Sequence, residues 1–159
     1  MATITKKRIA TDGQFGGVPY GNQSVLPYTL KTNASGAALD SDTTAAIGNG
    51  DKVILGILPA GMLVQDAVAI VSDAFSALVT VDIGFEYVDG VDSTAVPQDA
   101  DYFFNDLALS ATSRTRQTTV VAPVKLPKDA YLIATTGGAA NAVAGVLDVM
   151  VKGELLGAP

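Results

Sequence analysis

The chain has 159 residues, a formal net charge of −6, and neither cysteine nor histidine. Its length suits one domain with a self-sufficient core, while the two missing residue types remove disulfides, thiolate zinc sites, cysteine nucleophiles, the usual general base near neutral pH and the commonest metal ligand. The acidic balance argues against nucleic-acid binding, which needs clustered Lys and Arg, and no apolar run has signal-peptide character or nears the roughly 20 residues that cross a bilayer, so the expectation is a soluble protein of the cytoplasm or one released by lysis.

Residues 1–27 hold Gly13, Gly16, Gly17, Pro19, Gly21 and Pro27 without sustained hydrophobic periodicity, and read as an extended arm. The basic triplet Lys6, Lys7 and Arg8 and the anchors Phe15, Val18 and Tyr20 suit an arm that orders on a neighbouring subunit or an acidic protein surface, beside the plainer reading of a frayed, solvated end. Residues 28–159 form the folded domain. Tyr28–Thr32 is a short first strand, and Asn33–Gly50 a long mobile loop. Lys52–Leu58 and Met62–Val71 follow as a hairpin across Pro59-Ala60-Gly61, read as a type I turn. Both strands are apolar on both faces, which calls for a second cover. Ile54, Leu58, Ala67 and Ala69 are therefore candidate subunit-interface residues, a covering loop of the same chain being the alternative.

The clearest signal is Leu78–Val88, where Val79, Val81, Ile83, Phe85 and Tyr87 alternate with Thr80, Asp82, Gly84 and Glu86. Such a period of two predicts a central strand with one dry face and one polar face. Asp89-Gly90 predicts a hairpin into Val91–Val96. Asp99 then caps a brief helix through Tyr102, Phe103 and Leu107. Ser110–Thr119 reads as a polar connection, and Val120–Leu126 as an edge or bulged strand because Pro123 lacks a ladder donor. Tyr131–Thr136 and Val146–Leu155 complete the set. Leu58-Pro59-Ala60-Gly61 is echoed by Leu126-Pro127-Lys128-Asp129, as in a sandwich whose halves repeat one device.

Catalytic and ligand-binding chemistry finds little support. Asp82 and Glu86 share a face but lie roughly 13 Å apart along a strand, beyond the roughly 5–9.5 Å of paired glycosidase carboxylates. The acidic stretch Asp89, Asp92, Asp99, Asp101 and Asp106 lacks EF-hand spacing and reads as a solvated loop. Neither a Walker A nor a GxGxxG pattern occurs. The expectation is a non-enzyme with no catalytic, cofactor-binding or metal-binding residue.

Four stretches carry a resemblance: GDKVILGILPAGMLVQDAVAIVS, VTVDIGFEYVDG, DADYFFNDLAL and PKDAYLIATTGGAANAVAGVLDVMVKGEL. Over about residues 50–155 the chain resembles small structural proteins of tailed bacteriophages that decorate or cement the capsid, and related head or tail accessory proteins. The resemblance implies an antiparallel β-sandwich of jelly-roll type, often a homotrimer on the capsid's outer face. Its extended arm, here Ala2–Pro27, would grip the major capsid protein or a neighbour. The combined expectation is an all-β virion protein, with at most one short helix, that partners the major capsid protein and itself but neither nucleic acid nor membrane. Alternatives are a tail or fibre accessory module or a carbohydrate-binding sandwich using Thr80, Asp82 and Glu86 or the aromatic run Tyr102–Phe104, and, third, a carboxylate-dependent hydrolase.

Overall fold

A computed structural model describes residues 2–5 and 23–155, which form ten strands and no helix: β1 Thr3–Thr5, β2 Gln23–Thr32, β3 Lys52–Leu58, β4 Met62–Asp73, β5 Thr80–Tyr87, β6 Asp99–Ala108, β7 Ser113–Arg116, β8 Val124–Lys125, β9 Ala130–Gly137 and β10 Gly145–Leu155. They make two sheets packed face to face, ordered β1-β3-β9-β5-β6 and β2-β10-β4-β7, with β8 also on β4. The pairings nest: β2 with β10, β3 with β9, β4 with β7 and β8, and β5 with β6, all antiparallel. A long hairpin folded over in this way is an all-β sandwich of jelly-roll type. β1 stands outside that plan, pairing in parallel with β3.

β5 has the predicted polarity, with Val81, Ile83, Phe85 and Tyr87 almost wholly buried in the core between the sheets. β10 alternates in the same way, with Leu147, Val149 and Val151 inward. Burying a side chain of this size contributes about 1.5–3 kcal/mol, so these two rows dominate the apolar stabilisation near the middle of each sheet.

Several expectations are corrected by the fold. The arm boundary at residue 27 falls inside β2, which begins at Gln23; Pro27 is tolerated there because β2 is an edge strand paired on one side only. The expected loop 33–50 is pinned. Ile47, Ala37 and Ala38 are buried, the Asn141 N–H donates to the Ile47 carbonyl at 2.8 Å, and the Thr136 hydroxyl donates to the Gly48 carbonyl at 2.6 Å. The stretch expected to be helical is β6. Its register passes from Phe104 opposite Ile83 to Asp99 opposite Phe85, and this wide bulge lets Tyr102, Phe103 and Phe104 all be buried although they are consecutive. Asp89-Gly90 turns the chain, but β5 pairs with β6 and Val91–Val96 forms no strand. Part of the expected polar connection is β7, and of Val120–Leu126 only Val124–Lys125 is a strand, at an edge.

The supposed hairpin at Pro59-Ala60-Gly61 is instead a corner: β3 and β4 lie in different sheets. The turn spans Pro59–Met62, closed by Met62 N–H donating to the Pro59 carbonyl at 3.2 Å, with Gly61 third at φ +78°, as a type II turn requires. The echo Leu126–Asp129 is the matching corner between β8 and β9. The two corners bond to each other through Gly61 N–H to the Leu126 carbonyl (2.8 Å), Leu126 N–H to the Met62 carbonyl (2.9 Å) and Ala60 N–H to Asp129 Oδ1 (2.8 Å).

Candidate interaction surface

Bulges decide which side chains reach the surface. In β3, Ile54 faces Ile133 while Gly56 faces Leu132, so Leu55 is an extra residue. In β4, Asp66 faces Lys152 while Val64 faces Gly153, so Gln65 is extra. Each extra residue reverses the alternation. The inward set therefore switches from Val53 and Leu55 to Leu58 in β3, and from Met62 and Val64 to Ala67, Ala69 and Val71 in β4.

This places the interface candidates. Leu58, Ala67 and Ala69 are buried in the chain's own core, at 0–1% exposure, so they present no surface to another subunit. Ile54 lies outside the core cluster and is also buried, at 7%. The bulges bring Val53, Leu55 and Leu58 of β3 and Met62, Val64, Ala67, Ala69 and Val71 of β4 onto the one face that the opposite sheet covers. Lys6, Lys7, Arg8, Phe15, Val18 and Tyr20 lie outside the described residues.

The residues that do reach the outside of the β2-β10-β4-β7 sheet form cross-strand rows. Pro27, Met150, Val68 and Arg116 are in register, and beside them run Thr29, Asp148, Ile70 and Arg114. Val25, Lys152 and Asp66 make the next row. Val25 is half exposed, Pro27 is exposed, and Met150, Val68 and Ile70 are half-buried. Arg116 Nε meets Asp66 Oδ2 at 2.9 Å, and Thr29 donates to Asp148. The face is thus a short apolar patch rimmed by paired and single charges, the anatomy of a modest protein–protein contact. One sequence signal points to it: Met150 is apolar within the otherwise polar row Asp148, Lys152 and Glu154.

On the outer face of the other sheet the pair Ile54 and Ile133 is buried, and charged groups are paired around it. Lys52 Nζ donates to both Glu86 oxygens at 2.7 Å, and Asp82 accepts the Asp106 N–H at 2.7 Å. Both carboxylates weighed for hydrolysis are thereby engaged in holding strands together. The aromatic run proposed as a sugar platform, Tyr102–Phe104, is buried in the core.

The acidic stretch is organised by its own loop. Asp89 takes Lys128 Nζ at 2.7 Å, which with the Val91 amide holds its carboxyl below the usual range, and the same ammonium sits 4.7 Å from the centre of the Tyr87 ring. Asp92 accepts the amides of Ser93 and Gln98. Burial, then a side-chain hydrogen bond that protonated Asp99 donates to Asp101, raises Asp99, whereas Asp101 is lowered by that bond and by Asn105. Among the described residues no group of three or more Asp and Glu is arranged to hold a metal ion.

Beside this loop lies an open cleft of about 380 Å³, lined mainly by Phe85, Val96, Pro97, Val121, Val124 and Tyr102. The Tyr102 hydroxyl donates to the Ala122 carbonyl at 2.7 Å; desolvation, with a smaller contribution from Asp99, pushes its pKa up to about 12. The cleft is mostly apolar, with Gln98 and Asp99 as its polar lining residues.

No protein-family model matches the chain, and no curated protein sequence matches it. Two solved structures share its fold. One is a chain in the capsid of Ralstonia phage GP4, with TM-score 0.62 and 15% identity over 96% of this chain and 97% of that one. The other is a chain in the capsid asymmetric unit of cyanophage Pam1, with TM-score 0.60 and 16% identity over 89% of this chain and 91% of that one. The likeness runs nearly end to end in both, so it concerns whole chains of similar size.

Proposed function

We propose that the chain is a structural protein of a bacteriophage virion, assembled in the host cytoplasm, that binds the outer surface of the capsid as a homo-oligomer, most simply a trimer, and stabilises the shell. The observation carrying this reading is the end-to-end likeness to chains within two phage capsids. The apolar patch around Pro27, Met150 and Val68 supports it, since such a face on the outside of a sheet is suited to contact. The partners are the major capsid protein and other copies of the chain. Many weak contacts repeated over a lattice give avidity, so each can be slight while the shell as a whole gains resistance to disruption.

The test is to add the purified chain to capsids made without it, then measure co-sedimentation and the temperature at which the shells release DNA. Saturable binding with a raised release temperature is expected. A chain that stays in the supernatant and leaves the release temperature unchanged refutes the proposal. Native mass measurement checks the oligomer, for which a strict monomer at all concentrations is the contrary result.

A further inference from the structure

Among the described residues, the backbone of β1 is paired with the start of β3. Thr3, Ile4 and Thr5 pair with Lys52, Val53 and Ile54. The Ala2 N–H donates to Asp51 Oδ1 at 2.9 Å, and the Ala2 carbonyl accepts from Lys52 N–H at 3.1 Å. Ile4 is 1% exposed and belongs to the core cluster, so it acts as a peg in a socket at the sheet edge. Without β1, that socket would stand open beside unpaired backbone groups of Lys52 and Ile54, a template for another strand.

We infer that this edge of β3 is a strand-accepting groove and that copies of the chain exchange β1, the Ala2–Thr5 segment of one copy seating in the groove of a second. The groove reads a backbone edge and one Ile side chain, which any copy of the same sequence supplies equally. The connection from Thr5 to Gln23 is residues 6–22, with glycine at 13, 16, 17 and 21. Tethering through 17 residues gives the strand an effective concentration on the order of millimolar. A neighbour's strand competes evenly once copies reach that local density, as in domain swapping. Ile4 is the specificity element, because the facing Val53 position leaves an apolar socket that a polar residue would not fill. The inference concerns the isolated chain and does not depend on the capsid proposal.

The absence of native cysteine allows a direct test. Thr3→Cys and Lys52→Cys are placed first in one chain and then in separate chains that are mixed, with oxidised glutathione present for a fixed short time and the products read by intact mass. The single chain carrying both should close on itself when dilute, reporting the register. The mixed single variants should give a crossed disulfide whose yield rises roughly 50-fold between about 10 µM and about 1 mM, while Thr3→Cys mixed with Lys125→Cys should give little. No crossed product at the higher concentration, equal yield from the Lys125→Cys control, or no closure within the double variant each overturns the inference. Should the cysteine variants misfold, a peptide of residues 1–8 titrated into a chain lacking residues 1–5 provides the second reading. Shifts of the Lys52 and Ile54 amide signals are expected there, and their absence at millimolar peptide is the contrary result.

Discussion

Replacing Ile4 by aspartate separates a detachable strand from an integral one. Docking of Ala2–Thr5 gains about 1.5–3 kcal/mol from burying Ile4 and about 1 kcal/mol for each of a few backbone hydrogen bonds. Ordering four residues costs about 1–2 kcal/mol each, so net docking lies within about 3 kcal/mol of zero. A damaged β1 can undock, and the loss is then capped at that net value. Aspartate at Val149, in the middle of the β2-β10-β4 ladder, has no such escape and should cost well over 4 kcal/mol. Urea unfolding with tryptophan-free detection by circular dichroism reads both. Ile4→Asp should lower stability by at most about 3 kcal/mol and raise hydrogen exchange selectively at Lys52 and Ile54, whose N–H groups lie on the β1 side of β3, leaving Leu132 and Val149 protected. If Ile4→Asp unfolds the chain as fully as Val149→Asp, β1 is an integral strand and the reasoning fails.

Gly56→Ala should cost about 3 kcal/mol in thermal unfolding, since its Cβ would fall 2.3 Å from the Tyr28 ring, whose hydroxyl is fixed on the Ile57 carbonyl; Gly50→Ala, in open space at φ +83°, should cost about 1 kcal/mol, and equal costs contradict the packing argument. For Tyr102 the folded pKa of about 12 exceeds the unfolded 10.0, so its contribution is complete below pH 10 and lost as pH rises toward 12; Tyr102→Phe should flatten that alkaline loss, with Tyr87, also raised by burial, supplying the remainder. Val25→Lys with Met150→Lys should shift unfolding by less than about 1 kcal/mol yet abolish capsid binding; retained co-sedimentation removes the outer β2-β10-β4 face from the proposed contact. Glu86→Gln should lower stability by about 1 kcal/mol through its half-buried pairing with Lys52, and a double-mutant cycle with Lys52→Met isolates the coupling.

What was legible in the sequence follows from where strands are regular. β5 and β10 keep their alternation unbroken where the rows were read, and their inward residues are those the period of two assigns. β3 and β4 each contain an extra residue that reverses the alternation midway, so an uninterrupted reading gives two apolar faces and picks Leu58, Ala67 and Ala69 as outward. The outward apolar residues of β4 are Leu63, Val68 and Ile70, and nothing local distinguishes them from their neighbours before the bulge is located. The run Tyr102–Phe104 imitated a helix because three consecutive buried aromatics fit no simple strand, and only the β5 register exposes the bulge that accommodates them. Turn chemistry found the corners at Pro59 and Pro127 but not their destinations, since a proline-containing turn closes a hairpin and a sheet-to-sheet corner with the same residues. The arm beyond β1 was read from composition, and its named residues lie outside those described.

The nested pairing has a kinetic consequence. Its innermost pair, β5 with β6, joins strands separated by a short loop, whereas β2 meets β10 across more than a hundred positions of chain. Loop-closure entropy favours the local pair, so folding should start at β5–β6 and close outward through β4–β7 and β3–β9 to β2–β10. On the ribosome this order runs against synthesis: β2 emerges well before β10 and waits, its Leu26, Tyr28 and Leu30 uncovered, until β10 has been made. Pro27 in the middle of that waiting strand denies a ladder donor to any foreign edge, protecting the nascent chain from mispairing during the interval when it has no partner of its own.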